Sequence, residues 1–458
     1  MYKNIIDEKK VFFKTGKTRN IDFRIAMLNN LKKSILKNEE DIMIALEKDL
    51  SRSKSTSYMA EILPILQEID YFIKNIYKLS KIKIKKTPSI LLGYKSYEIK
   101  EPYGICLIIS PWNYPFLLTI SPLIGAIATG NCAIIKPSEY SINSSNVLKK
   151  IIDEAFKENY CQVILGEADV VENIIDNGVD FIFFTGSTNV GRIIMKKASE
   201  TLTPISLELG GKSPCIVDKN IDLDKAAKRI VWGKTLNSGQ TCISPDYLLV
   251  DDKIKDKLIE RLIFYTEDMW AKNILKNSYY SKIINEKNFD RILKLINNGD
   301  ILYGGNYDRE TLKIEPTYIT NISMYDNIMR EEIFGPILPI ISYNNIEHIY
   351  DIVEYNKNPL AMYIFSKNKS FINTLIKNIP CGNVCINDTI LQVTNHHMPF
   401  GGRGTSGIGV YHGEYSYDLF SHKKGILKAS NIFELQIRYK NTNNLAPIKK
   451  LLKIIKAI

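Results

Sequence analysis

Apolar residues recur at helical spacing through residues 22–76, which predicts a run of amphipathic helices at the start of the chain. Residues 81–85 then alternate strictly between lysine and isoleucine, the pattern of a two-faced strand that would leave the body of the domain. The longest uncharged stretch, residues 102–135, follows. It is long enough to cross a bilayer, but Pro111, Pro115 and Pro122 would remove backbone donors and Asn113 would stand unpaired in lipid, so it reads as a water-soluble core. Within it, residues 104–110 read as a buried parallel strand, Pro111-Trp112-Asn113-Tyr114-Pro115 as a rigid loop, and residues 117–129 as a helix on the sheet. Shorter apolar runs ending at Lys136, at Phe184 and at Leu209 add strands, and residues 192–201 add a helix. Strands alternating with helices in this way predict an α/β fold with a parallel sheet.

The composition narrows this further. A chain of 458 residues, 45% hydrophobic, can bury large cores and is too long for one ordinary domain. It shows no internal repeat and no low-complexity linker, so its domains are interleaved along the chain rather than strung in series. The formal charge of +11 comes mostly from lysine. Basic residues do not interleave with aromatics in one stripe, so the surplus reads as a solvated surface and not as a nucleic-acid site. Residues 1–14 carry charges throughout, unlike a secretion signal, and a cytoplasmic enzyme is expected. Seven cysteines without framework spacing read as reduced thiols. Cys381 and Cys385 lack the second pair a structural zinc would need, and the five histidines have no metal spacing, so no metal is expected.

Several segments carry candidate chemistry. Cys242 ends Asn237-Ser238-Gly239-Gln240-Thr241-Cys242, a stretch that leaves its sulfur approachable and lets backbone amides point at an oxyanion forming beside it. Glu208 ends a strand before Gly210 and Gly211 turn the chain away, which would put a carboxylate base at a cleft. Asn113, held between two prolines, is a fixed amide donor suited to an oxyanion hole, or else a residue that merely closes a turn. Lys136 and Glu139, just beyond a strand, can reach ribose hydroxyls or form a surface ion pair. Gly186, Ser187 and Gly191 lie between a strand and a helix, in the order that offers free amides to a pyrophosphate, although the three-glycine fingerprint is missing. Glu332 and Phe334 would face one side of an extended segment, a pair suited to a ribose and a nicotinamide ring. Residues 398–407 form a glycine-dense loop.

Each of these segments alone also reads as a turn or a core strand. In order they are Pro-Trp-Asn-Tyr-Pro (111–115), Lys-Pro-Ser-Glu (136–139), Phe-Thr-Gly-Ser-Thr-Asn-Val-Gly (184–191), Glu-Leu-Gly-Gly-Lys-Ser-Pro (208–214), Asn-Ser-Gly-Gln-Thr-Cys (237–242), Glu-Glu-Ile-Phe-Gly-Pro (331–336), Asn-Pro-Leu-Ala-Met-Tyr-Ile-Phe-Ser (358–366) and Pro-Phe-Gly-Gly-Arg-Gly-Thr-Ser-Gly-Ile-Gly (399–409). Taken together they resemble the aldehyde dehydrogenase superfamily, from about Ile25 to about Leu427. Asp246-Tyr247, Tyr411-His412-Gly413 and the short N-terminal lead are similar to its dimeric, class three-like branch, which acts on fatty and aromatic aldehydes.

The resemblance implies a Rossmann-type cofactor domain (1–79 and 101–209, rejoined at about 403–425) and an α/β catalytic domain (210–402). It also implies a small β arm for homodimerisation, built from 80–100 and 426–438. Cys242 would attack the aldehyde, Asn113 would hold the oxyanion, and Glu208 would activate water on the thioester. Lys136 and Glu139 would hold the adenine-side ribose, Gly186, Ser187 and Gly191 the pyrophosphate, and Glu332 and Phe334 the nicotinamide ribose and ring. NAD is the expected cofactor, with NADP tolerated where Glu139 swings aside. Two rivals stand beside this reading. An acylating enzyme that uses coenzyme A generally lacks the glutamate found at Glu208, and a catalytically silent homologue would not keep Cys242, Asn113 and Glu208 together. In residues 448–458 the apolar side chains fall within an arc of about 160° and the lysines on the other side. That tail would pack on the dimer body or lie flat on an anionic membrane surface.

Overall fold

The computed structural model describes residues 2–91, 93–432, 439 and 443–456. Helices Tyr2–Lys14, Ile21–Lys37, Glu39–Leu50 and Leu63–Leu79 open the chain, as the helical spacing requires. Asn20 starts the second of them, its side chain accepting from the Phe23 amide at 3.1 Å. Between the last two lies a single π-helical turn, Tyr58–Ile62.

A six-stranded sheet follows, with spatial order Gly407–Ile408, Ile205–Glu208, Phe181–Thr185, Ile105–Ile109, Cys132–Lys136 and Cys161–Val163. All of its strands are parallel except the short Gly407–Ile408 edge. Its three central strands are buried throughout, as expected of a parallel sheet covered on both faces. Numbered along the chain, its parallel strands lie in the order of a doubly wound nucleotide-binding sheet. The order reverses between Ile105–Ile109 and Phe181–Thr185, and ligands bind beyond the carboxyl ends of the strands at such a point.

A seven-stranded sheet carries the second body: Asp300–Tyr303, Thr317–Thr320, Ile337–Tyr343, Tyr247–Asp251, Pro214–Val217, Ala361–Phe365 and Asn383–Ile386. Only its Asp300–Tyr303 edge is antiparallel. Glu208 ends a strand of the first sheet and Pro214 begins one of the second, so the carboxyl edge of one lies next in the chain to the amino edge of the other. The α/β fold expected from the sequence is the one observed.

The third sheet departs in its bounds. Lys83–Lys85, Lys95–Pro102 and Ser421–Lys428 pair antiparallel, with Ser421 opposite Pro102 and Lys428 opposite Lys95. The last strand therefore starts well before the expected Ile426, and residues 433–438 of the expected arm lie outside the described residues. Almost the whole of that strand is exposed, so no burial alternation marked where it began. The tail is helical over Ala446–Lys456, starting two residues before the expected Ile448. The Asn444 side chain accepts from the Ala446 amide at 3.0 Å, and the helix lies beside the Ser89–Leu91 turn of the arm. Residues 457 and 458 lie outside the described residues. Among the described residues no helix is long and apolar enough to cross a membrane.

Candidate active site

The turn before Cys242 is left-handed at three successive residues, Asn237 (φ 53°), Ser238 (φ 52°) and Gly239 (φ 72°). Only the glycine adopts this freely, and a Cβ there would also collide with the carbonyl of Gly335. Buried side chains hold the other two in place. Gln240 donates to the carbonyls of Asn237 (3.0 Å) and Lys282 (2.9 Å) and accepts from the Ile284 amide at 3.1 Å. Ser238 donates to the Ser281 carbonyl, and Tyr363 donates to the carbonyl of Ile243. Cys242 emerges half-buried, with its own amide and that of Ile243 directed at the sulfur. Burial pushes its thiol well above the ordinary range, and the carboxylates of Glu332 and Glu208 push the same way.

Opposite stands the loop that leaves strand Ile105–Ile109. Asn113 is buried and donates from Nδ2 to the Gln240 carbonyl at 3.0 Å, which ties it to the cysteine turn. The neighbouring Tyr114 hydroxyl meets that of Thr241 at 2.8 Å. Glu208 is 3% exposed, neither of its carboxylate oxygens has a partner among the described residues, and burial alone raises its carboxyl far above the usual range. Cys242, Asn113 and Glu208 line one cleft of about 710 Å³, together with Gly186, Ser187, Glu332 and Phe334.

Helix Thr188–Ser199 points its amino end into that cleft. It begins earlier than the expected residue 192, because Ser187 caps it by accepting from the Val190 amide at 3.4 Å. Gly191 consequently lies inside the helix, away from the cleft lining. A Cβ there would come within 2.6 Å of Leu209, so this glycine serves close packing of helix on strand. Lys136 and Glu139 are also outside the lining. They sit one strand over, at the carboxyl end of Cys132–Lys136, and pair with each other at 2.8 Å.

Glu332 and Phe334 do not belong to an extended segment. Phe334 is left-handed at φ 50°, and its ring meets Trp112 edge-on at 5.4 Å. Arg291 holds this segment through the Ile333 carbonyl at 2.6 Å, and Asp246 accepts from the Ile333 amide at 3.0 Å while also pairing with Lys212. A Cβ at Gly210 would displace the Glu332 carboxylate from its present position. Burial raises the Glu332 carboxyl, reinforced by Asp246 and opposed by Lys212 and Arg291. Nearby Lys234 is fully buried with no partner for its Nζ among the described residues, and burial brings it down to about 8. Gln240 and Arg291 have structural tasks here that no local sequence pattern revealed. Among the described residues no group of three or more His, Cys, Asp or Glu could hold a metal ion.

A nucleotide cofactor fits this cleft. A helix amino terminus, Thr185 Oγ1, which has no partner among the described residues, and the half-buried Glu332 side chain all line a space at the point where the strand order reverses. The aldehyde dehydrogenase family profile matches residues 2–426. The chain belongs to the aldehyde dehydrogenase family. It is 42% identical over 460 residues to the 4,4'-diaponeurosporen-aldehyde dehydrogenase of Staphylococcus aureus, covering 99% of each chain. It is 39% identical to the dimeric NADP-preferring aldehyde dehydrogenase of Canis lupus familiaris, covering 92% of this chain and 93% of that one. The solved structure of Staphylococcus aureus AldH in a substrate-bound state superimposes with a TM-score of 0.93 at 41% identity, covering 100% of this chain and 99% of that one. These similarities agree with the class three-like branch, and the family's reaction is NAD(P)-dependent aldehyde oxidation.

Proposed function

We propose that this enzyme oxidises medium- or long-chain aliphatic or aromatic aldehydes to carboxylic acids, using NAD first and tolerating NADP. The observation that carries the reading is one cleft lined by a half-buried Cys242, the Asn113 side chain and a buried Glu208 whose carboxylate has no partner among the described residues. The Cys242 thiolate adds to the carbonyl carbon, and the carbonyl π electrons move to oxygen. That oxyanion takes the second N–H of Asn113, whose first is spent on Gln240, and the Cys242 amide. A bound nicotinamide cofactor supplies the hydride acceptor. Once the adduct has become a thioester, Glu208 takes a proton from water, the water oxygen bonds to the acyl carbon, and the C–S bond breaks to return the thiolate.

Of the cofactor contacts, Gly186 and the helix that Ser187 caps suit the pyrophosphate, and Glu332 with Phe334 suits the nicotinamide ribose and ring. Lys136 and Glu139 would take the adenine-side ribose from their strand end, in the direction of the second nucleotide. Residues 1–79 and 101–209 read as the cofactor domain and 210–402 as the catalytic domain. The small three-stranded sheet exposes Ile84, Ile426 and Leu427, which supports a homodimer through this arm. We place the enzyme in the cytoplasm, its tail either packed on the dimer or touching a membrane surface.

Mixing the full chain with NAD and a panel of aldehydes of increasing chain length, and following reduced nicotinamide, tests the reading. Reduction that requires added coenzyme A would assign it to acylating chemistry, and no reduction with any aldehyde would make it a silent homologue.

A further inference from the structure

Arg52, in the link that follows helix Glu39–Leu50, and Glu61, in the π-helical turn, form an ion pair buried to 1% and 0% exposure, and neither lines the catalytic cleft. Each partner also reaches the same stretch of backbone. Arg52 Nη2 donates to the Asn113 carbonyl at 2.6 Å, and its guanidinium lies over the Tyr114 ring at 4.6 Å. Glu61 Oε2 accepts from the amides of Phe116 (2.8 Å) and Leu117 (3.1 Å). Those amides open helix Leu117–Thr129, which has no side-chain cap of its own, so a carboxylate from the π-helical turn Tyr58–Ile62 caps it and meets the positive end of its dipole. One ion pair thus grips both ends of the 113–117 loop, the arginine on one side and the glutamate on the other. Asn237 donates to the same Asn113 carbonyl at 3.1 Å and continues the clamp to the cysteine turn.

We propose that Arg52 and Glu61 are positioning residues for the oxyanion hole, acting through the backbone of Asn113 to keep its side-chain amide aimed beside Cys242. This rests on the reading of Asn113 as an oxyanion donor. An oxyanion donor displaced by a fraction of an ångström loses most of its effect on the transition state while aldehyde binding is little altered.

The test is a double-mutant cycle on the full-length enzyme with Arg52→Lys, Glu61→Gln and Asn113→Ala, alone and combined, with thermal unfolding followed for each. Arg52→Lys keeps the buried charge, and Glu61→Gln keeps the shape and one acceptor, so one covers for the other should either fail to fold. We expect each to lower kcat on the order of tenfold with KM for the aldehyde changed by less than about threefold. In the Asn113→Ala background, the same substitution should lower kcat by no more than about twofold further, because the group it positions is gone. A second variant whose effect multiplies undiminished in that background, or wild-type kcat in both single variants, overturns the positioning role. Should Asn113→Ala alone cost less than about threefold, the oxyanion reading itself falls and takes this inference with it.

Discussion

At the Cys242 end of the cleft, Gln240, Asn113, Thr241 and Ser238 are all buried and each is fastened to another chain segment. At the other end, Gly186 and Thr188 are half-exposed and Ser187 and Asn189 are exposed, and beyond the lining Glu139 pairs with Lys136. The reacting end has to keep its donors within a fraction of an ångström and shed water, so it spends many hydrogen bonds on a backbone turn that three left-handed residues would otherwise make unfavourable. The cofactor end has to let a nucleotide in and out on every turnover, and an open helix terminus permits that. Damage at the first end should therefore show in kcat, and damage at the second in cofactor preference.

The sharpest contrast is expected from Cys242→Ala, which should reduce aldehyde oxidation by about 10⁴-fold or more while the protein still binds NAD, measured by calorimetry beside steady-state kinetics. Residual turnover within tenfold of wild type would move the nucleophile to another cysteine. Asn113→Ala comes next. Losing one oxyanion donor should cost on the order of a hundredfold in kcat.

A smaller effect is expected from pH. Burial raises both Glu208 and Cys242, so below their raised values the base carries its proton and the nucleophile stays a thiol. Where deacylation through Glu208 limits kcat, kcat should keep climbing with pH above about 6, by up to about tenfold per unit, instead of levelling off there as an ordinary carboxylate base would allow. A kcat profile flat over that window would contradict the dry environment assigned to the two groups. The smallest change belongs to the open end. Replacing Glu139 with glutamine removes the charge that would repel a 2′-phosphate and should shift the ratio of catalytic efficiencies toward NADP by about tenfold, leaving kcat with NAD within about threefold. An unchanged ratio would show that Glu139 does not face the ribose.

What could be read from the sequence follows the same division. Helix Leu117–Thr129 and the buried strands were legible because each buries a continuous or periodic apolar face, and Cys242, Glu208 and Asn113 stand where strand ends and proline-bound loops suggested. The earlier start of helix Thr188–Ser199 was available too, since Ser187 followed by Thr188 and Asn189 is an N-cap signal. Phe334 was not legible. A bulky residue has no local preference for φ 50°, and the conformation is imposed by Trp112, Asp246 and Arg291 from elsewhere in the chain. Arg52 and Glu61 were equally hidden, because a charged residue in a helical run reads as surface until its partner is seen.

The division of labour between nucleophile and base is tested most directly by rapid mixing of Glu208→Gln enzyme with a long-chain aldehyde and NAD, followed by mass analysis of the quenched protein. We expect a burst of reduced nicotinamide close to one equivalent per active site, then turnover slowed on the order of a hundredfold or more, with the acyl group recovered on the peptide that carries Cys242. Steady turnover at the wild-type rate, or an acyl group on any other residue, would contradict the assignment of Cys242 as nucleophile and Glu208 as the base that releases the acid.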